Sequence, residues 1–225
     1  MLTISVKHDF DRLAATLNDL ARRQFPFAVA GALNDAADAS ARDINADISA
    51  GGIFAKATPF TRNAVVAPKS LRARKDKLVA VVTVRPIQAQ YLLHEQIGGT
   101  RTPAENTRNP GAAALVLPGP ALRLNAYRNI PAGKLAKLKA AAAAPAKHNS
   151  GVVFLAASAP GNKSGVGGYF QRGAGTLRRL TGFTASATYH PKFGFDARVI
   201  RTARRVFLAS IGPRLAAAMA SAKPR

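Results

Sequence analysis

The sequence predicts an α+β fold, and three observations carry that reading. Apolar residues recur at helical spacing near both ends of the chain. Short β-branched runs bounded by Gly and Pro fill the middle. No internal repeat is present, so the elements form one layered core rather than a stacked array.

Taken in order, "LTISVK" alternates apolar and polar residues and suits a short edge strand or a docking arm. Phe10, Leu13, Ala14, Leu17, Leu20 and Ala21 then follow a helical period, with Asp9 placed to cap it. Pro26 interrupts, giving either a kink or a new helix with proline in its first turn. Ala30, Leu33, Ala37, Ile44 and Ile48 resume the pattern until "AGG" stops it. The expectation is one long broken helix from about Asp9 to about Ser49, its small-residue middle open to close approach by a second helix.

"FAKATPFTRNA" reads as a turn-rich connector containing Pro59. "KLVAVVTVRP", Lys77 to Pro86, reads as the clearest strand of the chain. "IQAQYLLHEQI" is a short helix that Gly98 and Gly99 end. Residues 100–120 hold four prolines and predict an interface or functional loop. Beyond the turn at Pro131, "GKLAKLKAAAAA" is a small basic helix, and "GVVFLAAS" a strand. "PGNKSGVGGYFQRGAG" reads as a glycine-rich hairpin or flexible loop, and "FTASATYHP" as one more strand. From Phe195, the residues Val199, Phe207, Leu208, Ile211, Leu215 and Met219 define a last helix that Gly212-Pro213 kinks or splits. The whole predicts a single domain over 1–225. A small, mainly antiparallel sheet lies between the broken N-terminal helix and the kinked C-terminal one, with extended loops at about 51–63, 100–120 and 158–176.

Charge narrows the function classes. The net charge is +22 with a pI near 11.5, so an anionic partner is expected. Residues 1–105 carry 14 basic and 10 acidic side chains, whereas residues 106–225 carry 19 and 1, the single acid being Asp196. The absence of cysteine excludes disulfides and thiolate chemistry. "MLTISVKHDFDRL" has no apolar signal core, and no run has the length of a membrane span. A soluble protein made in a cytoplasm, with no membrane partner, is the expectation.

The candidate catalytic motifs fail on spacing. His94-Glu95 begins like a zinc-protease helix, but Gly98 stands where the second histidine is needed. His8, His148 and His190 are distant in sequence. "GVGGYFQRG" and "PGNKS" lack the spacing of a dinucleotide or P-loop cradle. Asp35, Asp38, Asp43 and Asp47 read as a solvated or partner-facing helix side rather than a catalytic pair. No metal, no cofactor and no enzyme activity are expected.

The basic residues carry the stronger signal. Arg198, Arg201 and Arg205 share one face of the last helix, with Arg204 beside them. Arg178, Arg179, Lys134, Lys137 and Lys139 add to it. A charge run is usually a solvated face, but the near-absence of acids over the same region favours phosphate or an acidic protein as partner. Few aromatics accompany these residues, which points to duplex DNA held by its backbone rather than to stacked single strands.

The order "FAVAGALNDAADASARDI", "FAKATPFTRNAV", "LVAVVTV", "YLLHEQIGGTRTP", "RLNAYRNIPAGKL", "GVGGYFQR" and "TYHPKFGFDARVIRTARRVFLASIGPRLAAAMASA" resembles the minor tail protein Z family of tailed bacteriophages. The resemblance covers nearly the whole chain. In "YRNIP" the pattern calls for a glycine before the asparagine, and Arg128 stands there. The resemblance implies a structural virion protein without catalysis, assembled in the host cytoplasm and placed at the head–tail junction. It implies a ring of copies that joins the portal or adaptor side to tail terminator or tail tube proteins, beside packaged double-stranded DNA. The loops at 51–63 and 100–120 would then meet neighbours or the next ring. A free-standing basic nucleic-acid-binding protein of chromosomal or ribosomal type explains the charge but not the ordered resemblance.

Overall fold

A computed structural model describes residues 20–105, 112–144, 151–160, 162–173 and 175–221. The arm read in "LTISVK" and the expected helix start at Asp9 lie outside the described residues. In chain order the elements are α1 (Phe25–Ala50), β1 (Val65–Val66), β2 (Thr83–Val84), α2 (Pro86–Ile97), β3 (Gly99–Arg101) and β4 (Leu115–Pro118). They continue with α3 (Lys134–Ala143), β5 (Gly151–Leu155), β6 (Gly168–Gly173), β7 (Thr176–Arg179), β8 (Thr181–Thr184), β9 (Ala187–Tyr189) and α4 (Phe195–Ser221). This is the α+β class that the sequence predicts, with a long N-terminal helix, a long C-terminal helix and small antiparallel sheets. The chain groups into two compact units, Met1–Ala89 with Phe193–Arg225, and Gln90–Lys192.

In the first unit, Pro26 lies in the first turn of α1, and a π-helical turn, Leu20–Gln24, precedes it. The helix ends at Gly51, whose φ of 84° is the left-handed conformation glycine adopts without steric cost. The buried stripe of α1 is built from Ala28, Ala32, Ala36, Ala39, Ser40, Ile44 and Ile48. Small side chains let α4 come close: the Ser40 hydroxyl donates to the Ala36 carbonyl at 2.7 Å and stands 3.4 Å from the Val199 carbonyl of α4. Phe193, with its ring centroid 5.9 Å from Phe54 and 5.6 Å from Phe195, fills the end of this core.

Two asparagines of α1 hold the segments that follow. Asn45 donates to the Val65 carbonyl at 2.8 Å and accepts from the Val65 N–H at 3.1 Å. Asn34 does the same to Ala73, at 3.0 and 2.9 Å. Each side-chain amide supplies a donor and an acceptor, as a neighbouring strand would.

The expected strand over Lys77–Pro86 is a correction. Only Thr83 and Val84 form a strand, paired with Val66 and Val65, while Lys77 makes an isolated bridge to Arg74. β1 is too short to offer more, because Pro68 has no N–H to donate and Lys69 begins a 3-10 turn. Leu78 and Val79 are exposed instead. Of the two outcomes expected at Gly212-Pro213, splitting does not occur: α4 runs on as one helix with Pro213 inside it.

In the second unit three antiparallel sheets form, β3–β9, β4–β8 and β5–β6–β7. α3 packs Leu138 and Leu135 on Tyr169, Leu122 and Leu180. The glycine-rich segment expected as hairpin or loop holds the central strand β6, which pairs antiparallel with β5 and with β7. "FTASATYHP" is two strands rather than one, because the chain turns at Thr184–Ser186 and β9 pairs with β3. The expected loop over 100–120 holds the end of β3, a 3-10 turn at Pro103–Glu105, and β4; the expected loop over 158–176 holds β6.

Arg128 has a φ of 60° and is the one non-glycine residue with positive φ among the described residues. The Asn125 side chain accepts from the N–H groups of Tyr127 and Asn129 at 3.0 and 2.9 Å, and the Arg128 N–H donates to the Asn125 carbonyl at 3.0 Å. The turn therefore imposes a left-handed conformation, which favours glycine, on Arg128. The left-handed strain of about 1–2 kcal/mol is partly offset by glycine's greater freedom when unfolded, about 0.5–1 kcal/mol. Arg128→Gly is expected to raise stability by about 0.5 kcal/mol in urea unfolding, whereas most substitutions lower it.

Candidate functional site

The expected arginine face of α4 divides into two groups. Arg198 pairs with Asp47 at 2.7 Å, and Arg205 with Asp43 at 3.0 Å. The buried Thr202 hydroxyl donates to the same Asp43 oxygen at 3.1 Å. Arg201 and Arg204 are exposed, and their side chains make no ion pair or hydrogen bond with a described residue. Farther along α4, Arg214 holds both oxygens of Asp35, at 2.9 and 2.6 Å. Those hydrogen bonds raise the Arg214 guanidinium above its ordinary range, against a smaller opposing effect of burial. Gly31 leaves room for it, since a Cβ there would stand 2.9 Å from Arg214 Nη1.

The α1 acids stay partly exposed, as their spacing suggested, but each is also engaged within the chain. Asp35, Asp43 and Asp47 face α4, and Asp38 holds Arg72 through both oxygens at 2.9 and 2.8 Å. The pairs run in opposite chain order and so fix an antiparallel register. They are partly exposed, so each contributes on the order of 0.2–1 kcal/mol. Their larger effect is to neutralise arginines that the sequence offers to an outside anion. The groove beside them, about 600 Å³, is lined by Asp35, Asp38, Arg42, Asn45, Val206 and Ser210.

In the second unit the candidates stay free. Lys137, Lys139 and Arg178 are exposed; Lys134 and Arg179 are half-buried. None of these side chains makes an ion pair or hydrogen bond with a described residue. The acids of Gln90–Lys192 are Glu95 and Glu105 alone, and both are engaged locally. Glu105 accepts from the Thr102 N–H at 2.8 Å and lies 3.7 Å from His94 Nε2.

The four residues expected as structural turns lie at or near element ends. Pro59 opens a single helical turn that Thr58 caps. Gly98, at φ 74°, receives the end of α2, its N–H donating to the His94 carbonyl at 2.9 Å, and a Cβ there would stand 2.9 Å from Pro191 Cδ. Gly99, at φ 102°, starts β3. The Pro131 carbonyl accepts from the Lys134 N–H at 3.1 Å at the entry to α3.

His94 and Glu95 thus sit in a corner. Glu95 pairs with Lys192 at 3.1 Å, and the contact is an ion pair without hydrogen-bond alignment. His94 stacks near Tyr189, with ring centroids 5.6 Å apart. His94 Nδ1, Glu95 Oε2 and Arg101 Nε are buried without a hydrogen-bond partner. Among the described residues, no group of three or more His, Asp or Glu side chains is placed to hold a metal ion, and no helix is long and apolar enough to cross a membrane.

Compared with protein-family models, curated proteins and solved structures, the chain has no match.

Proposed function

We propose that this chain is a structural virion protein of a tailed bacteriophage, of the neck or tail-completion type. Copies assemble as a ring at the head–tail junction, between the portal or adaptor side and the tail terminator or tube, flanking packaged double-stranded DNA. The role is mechanical and electrostatic, with no bond made or broken.

The observation that carries the reading is the outward apolar surface. Ile97 is 66% exposed, Ile200 66% and Leu208 65%, with Leu93, Ile87, Phe27, Leu78 and Val79 also turned outward. Leu93 and Ile97 lie one turn apart on α2. A monomer at +22 has ample charge to cover itself, so repeated large apolar side chains turned outward fit a chain whose neighbours cover them. The ordered resemblance of its segments to the minor tail protein Z family supports the same reading. Ring neighbours would bury these side chains, and DNA phosphate would balance the positive charge.

Cryo-electron microscopy of purified particles tests it. Density for this chain is expected as a closed ring at the head–tail junction; particles that lack it there overturn the proposal.

A further inference from the structure

We infer that the α3-covered face of the second unit is the surface that holds duplex DNA by its phosphates, and that the paired arginines of α4 are not. The inference rests on the neck reading for its choice of anion. Its geometry stands alone.

Across β5, β6 and β7, Val152, Gln171 and Arg178 lie side by side in register. Tyr169, two residues before Gln171, shares their side of the sheet, because side chains alternate along a strand. Tyr169 is also where Leu138 of α3 packs. Arg178 therefore stands on the same side as α3, on the edge strand of its sheet. α3 turns Leu135, Leu138 and Ala142 inward and leaves Lys137 and Lys139 exposed. Arg123 is exposed between Leu122 and Leu124, both of which pack into the same cluster. Arg123, Lys137, Lys139 and Arg178 are thus four cations around one layer, with no carboxylate anywhere in residues 106–192.

Contrast decides between the surfaces. Arg198, Arg205 and Arg214 each already hold a carboxylate, so phosphate binding there would first have to break an ion pair. The four cations of the second unit release only counterions. The contact inferred is with the DNA backbone, where charge is read independently of sequence. Phe154 is the one large aromatic ring exposed on this side, and it leans on Tyr169 and Phe183 at centroid distances of 5.6 and 5.9 Å.

The test is the salt dependence of DNA binding by the full chain, measured by fluorescence anisotropy on a labelled duplex of mixed sequence. The variant Arg123→Gln/Lys137→Gln/Lys139→Gln/Arg178→Gln is compared with Lys69→Gln/Arg74→Gln/Lys75→Gln/Lys77→Gln, which removes equal charge from exposed positions of the first unit. All eight side chains are exposed, and circular dichroism melts check that both variants fold. The first variant is expected to flatten the slope of log K against log salt by about 3 to 4, at roughly 0.9 for each phosphate no longer neutralised. The second variant and Arg205→Gln are expected to leave the slope within about 1 of the parent. Equal flattening in the two quadruple variants overturns the inference, because net charge rather than a surface would then govern binding. A preference for single strands that Phe154→Ala abolishes, or tighter binding to polyglutamate than to duplex, overturns it as well. Particles settle the neck reading separately: a chain missing from the junction can still bind duplex through this face, and a chain present there can fail this test.

Discussion

Gly168→Ala is expected to destabilise the second unit by about 3 kcal/mol or more, the upper end of what overpacking costs in a closed core. β6 and β8 belong to different sheets but touch where the chain passes Gly168. The Tyr169 N–H donates to Thr181 Oγ1 at 3.1 Å, the Leu180 N–H to the Tyr169 carbonyl at 2.8 Å, and the Phe183 N–H to the Gly167 carbonyl at 2.7 Å. A Cβ at Gly168 would run into the carbonyl oxygen of Thr181, a residue with no solvent exposure. Both sides of that approach are backbone, so relief requires parting the strands and breaking the hydrogen bonds that join them. Gly167→Ala provides the gradient, since a Cβ there meets the Ala157 nitrogen at 3.3 Å and needs a shift of only tenths of an ångström. Its cost is expected below about 1 kcal/mol. All four tyrosines, Tyr91, Tyr127, Tyr169 and Tyr189, fall in Gln90–Lys192, so urea unfolding followed by tyrosine fluorescence reports this unit. Equal midpoints for the two variants would show that the crossing is not rigid.

That glycine also shows where sequence reading stops. A segment as rich in glycine as "GVGGYFQRG" reads as hairpin or flexible loop, because composition records freedom of the chain and not the close approach that demands it. "KLVAVVTVRP" fails in the opposite sense. Its β-branched run has the propensity of a core strand, but a strand exists only with a partner, and Pro68 cuts the partner to two residues. Among the described residues the longer helices were legible, since their period lies in the residues themselves: α2 stops at Gly98, α1 at Gly51, and α3 turns Leu135, Leu138 and Ala142 inward. At the candidate site, the spacing of Arg198, Arg201 and Arg205 identified a face but not what the face meets. A usable signal was present in the order of charges. Asp35, Asp43 and Asp47 on the first helix mirror Arg214, Arg205 and Arg198 on the last, in reversed order, which is what an antiparallel pair of helices brings together. Asn34 and Asn45 left no such trace, because a polar residue on a helix does not reveal which distant backbone group it holds.

Ser40→Leu is expected to part α1 from α4, with a loss of about 3 kcal/mol. Ser40 has no solvent exposure, and its hydroxyl is 3.4 Å from the Val199 carbonyl on the facing helix. Backbone at that distance leaves no space for an isobutyl group, and the alanines at 36 and 37 beside it offer no side chain that can rotate away. The added methyl groups must therefore move a helix. Moving α4 costs more than the local clash, because the three ion pairs and the Thr202 hydrogen bond depend on the same register. Ser40→Ala separates size from hydrogen bonding. It removes a hydroxyl whose 2.7 Å bond goes to Ala36 in its own helix, and the carbonyl it leaves still accepts the helical N–H, so its cost is expected below about 1 kcal/mol. Circular dichroism at the helical wavelength follows α1 and α4, the two longest helices described, while tyrosine fluorescence follows the other unit. Ser40→Leu should lower the midpoint of the helical transition and spare the tyrosine one. It should also free Arg198 and Arg205 from Asp47 and Asp43, so that DNA binding gains salt dependence as stability falls. A variant that lost stability with no change in that slope would mean that the carboxylates follow their arginines as the helices separate, and that the seam of small residues is not what keeps the α4 arginines from outside anions.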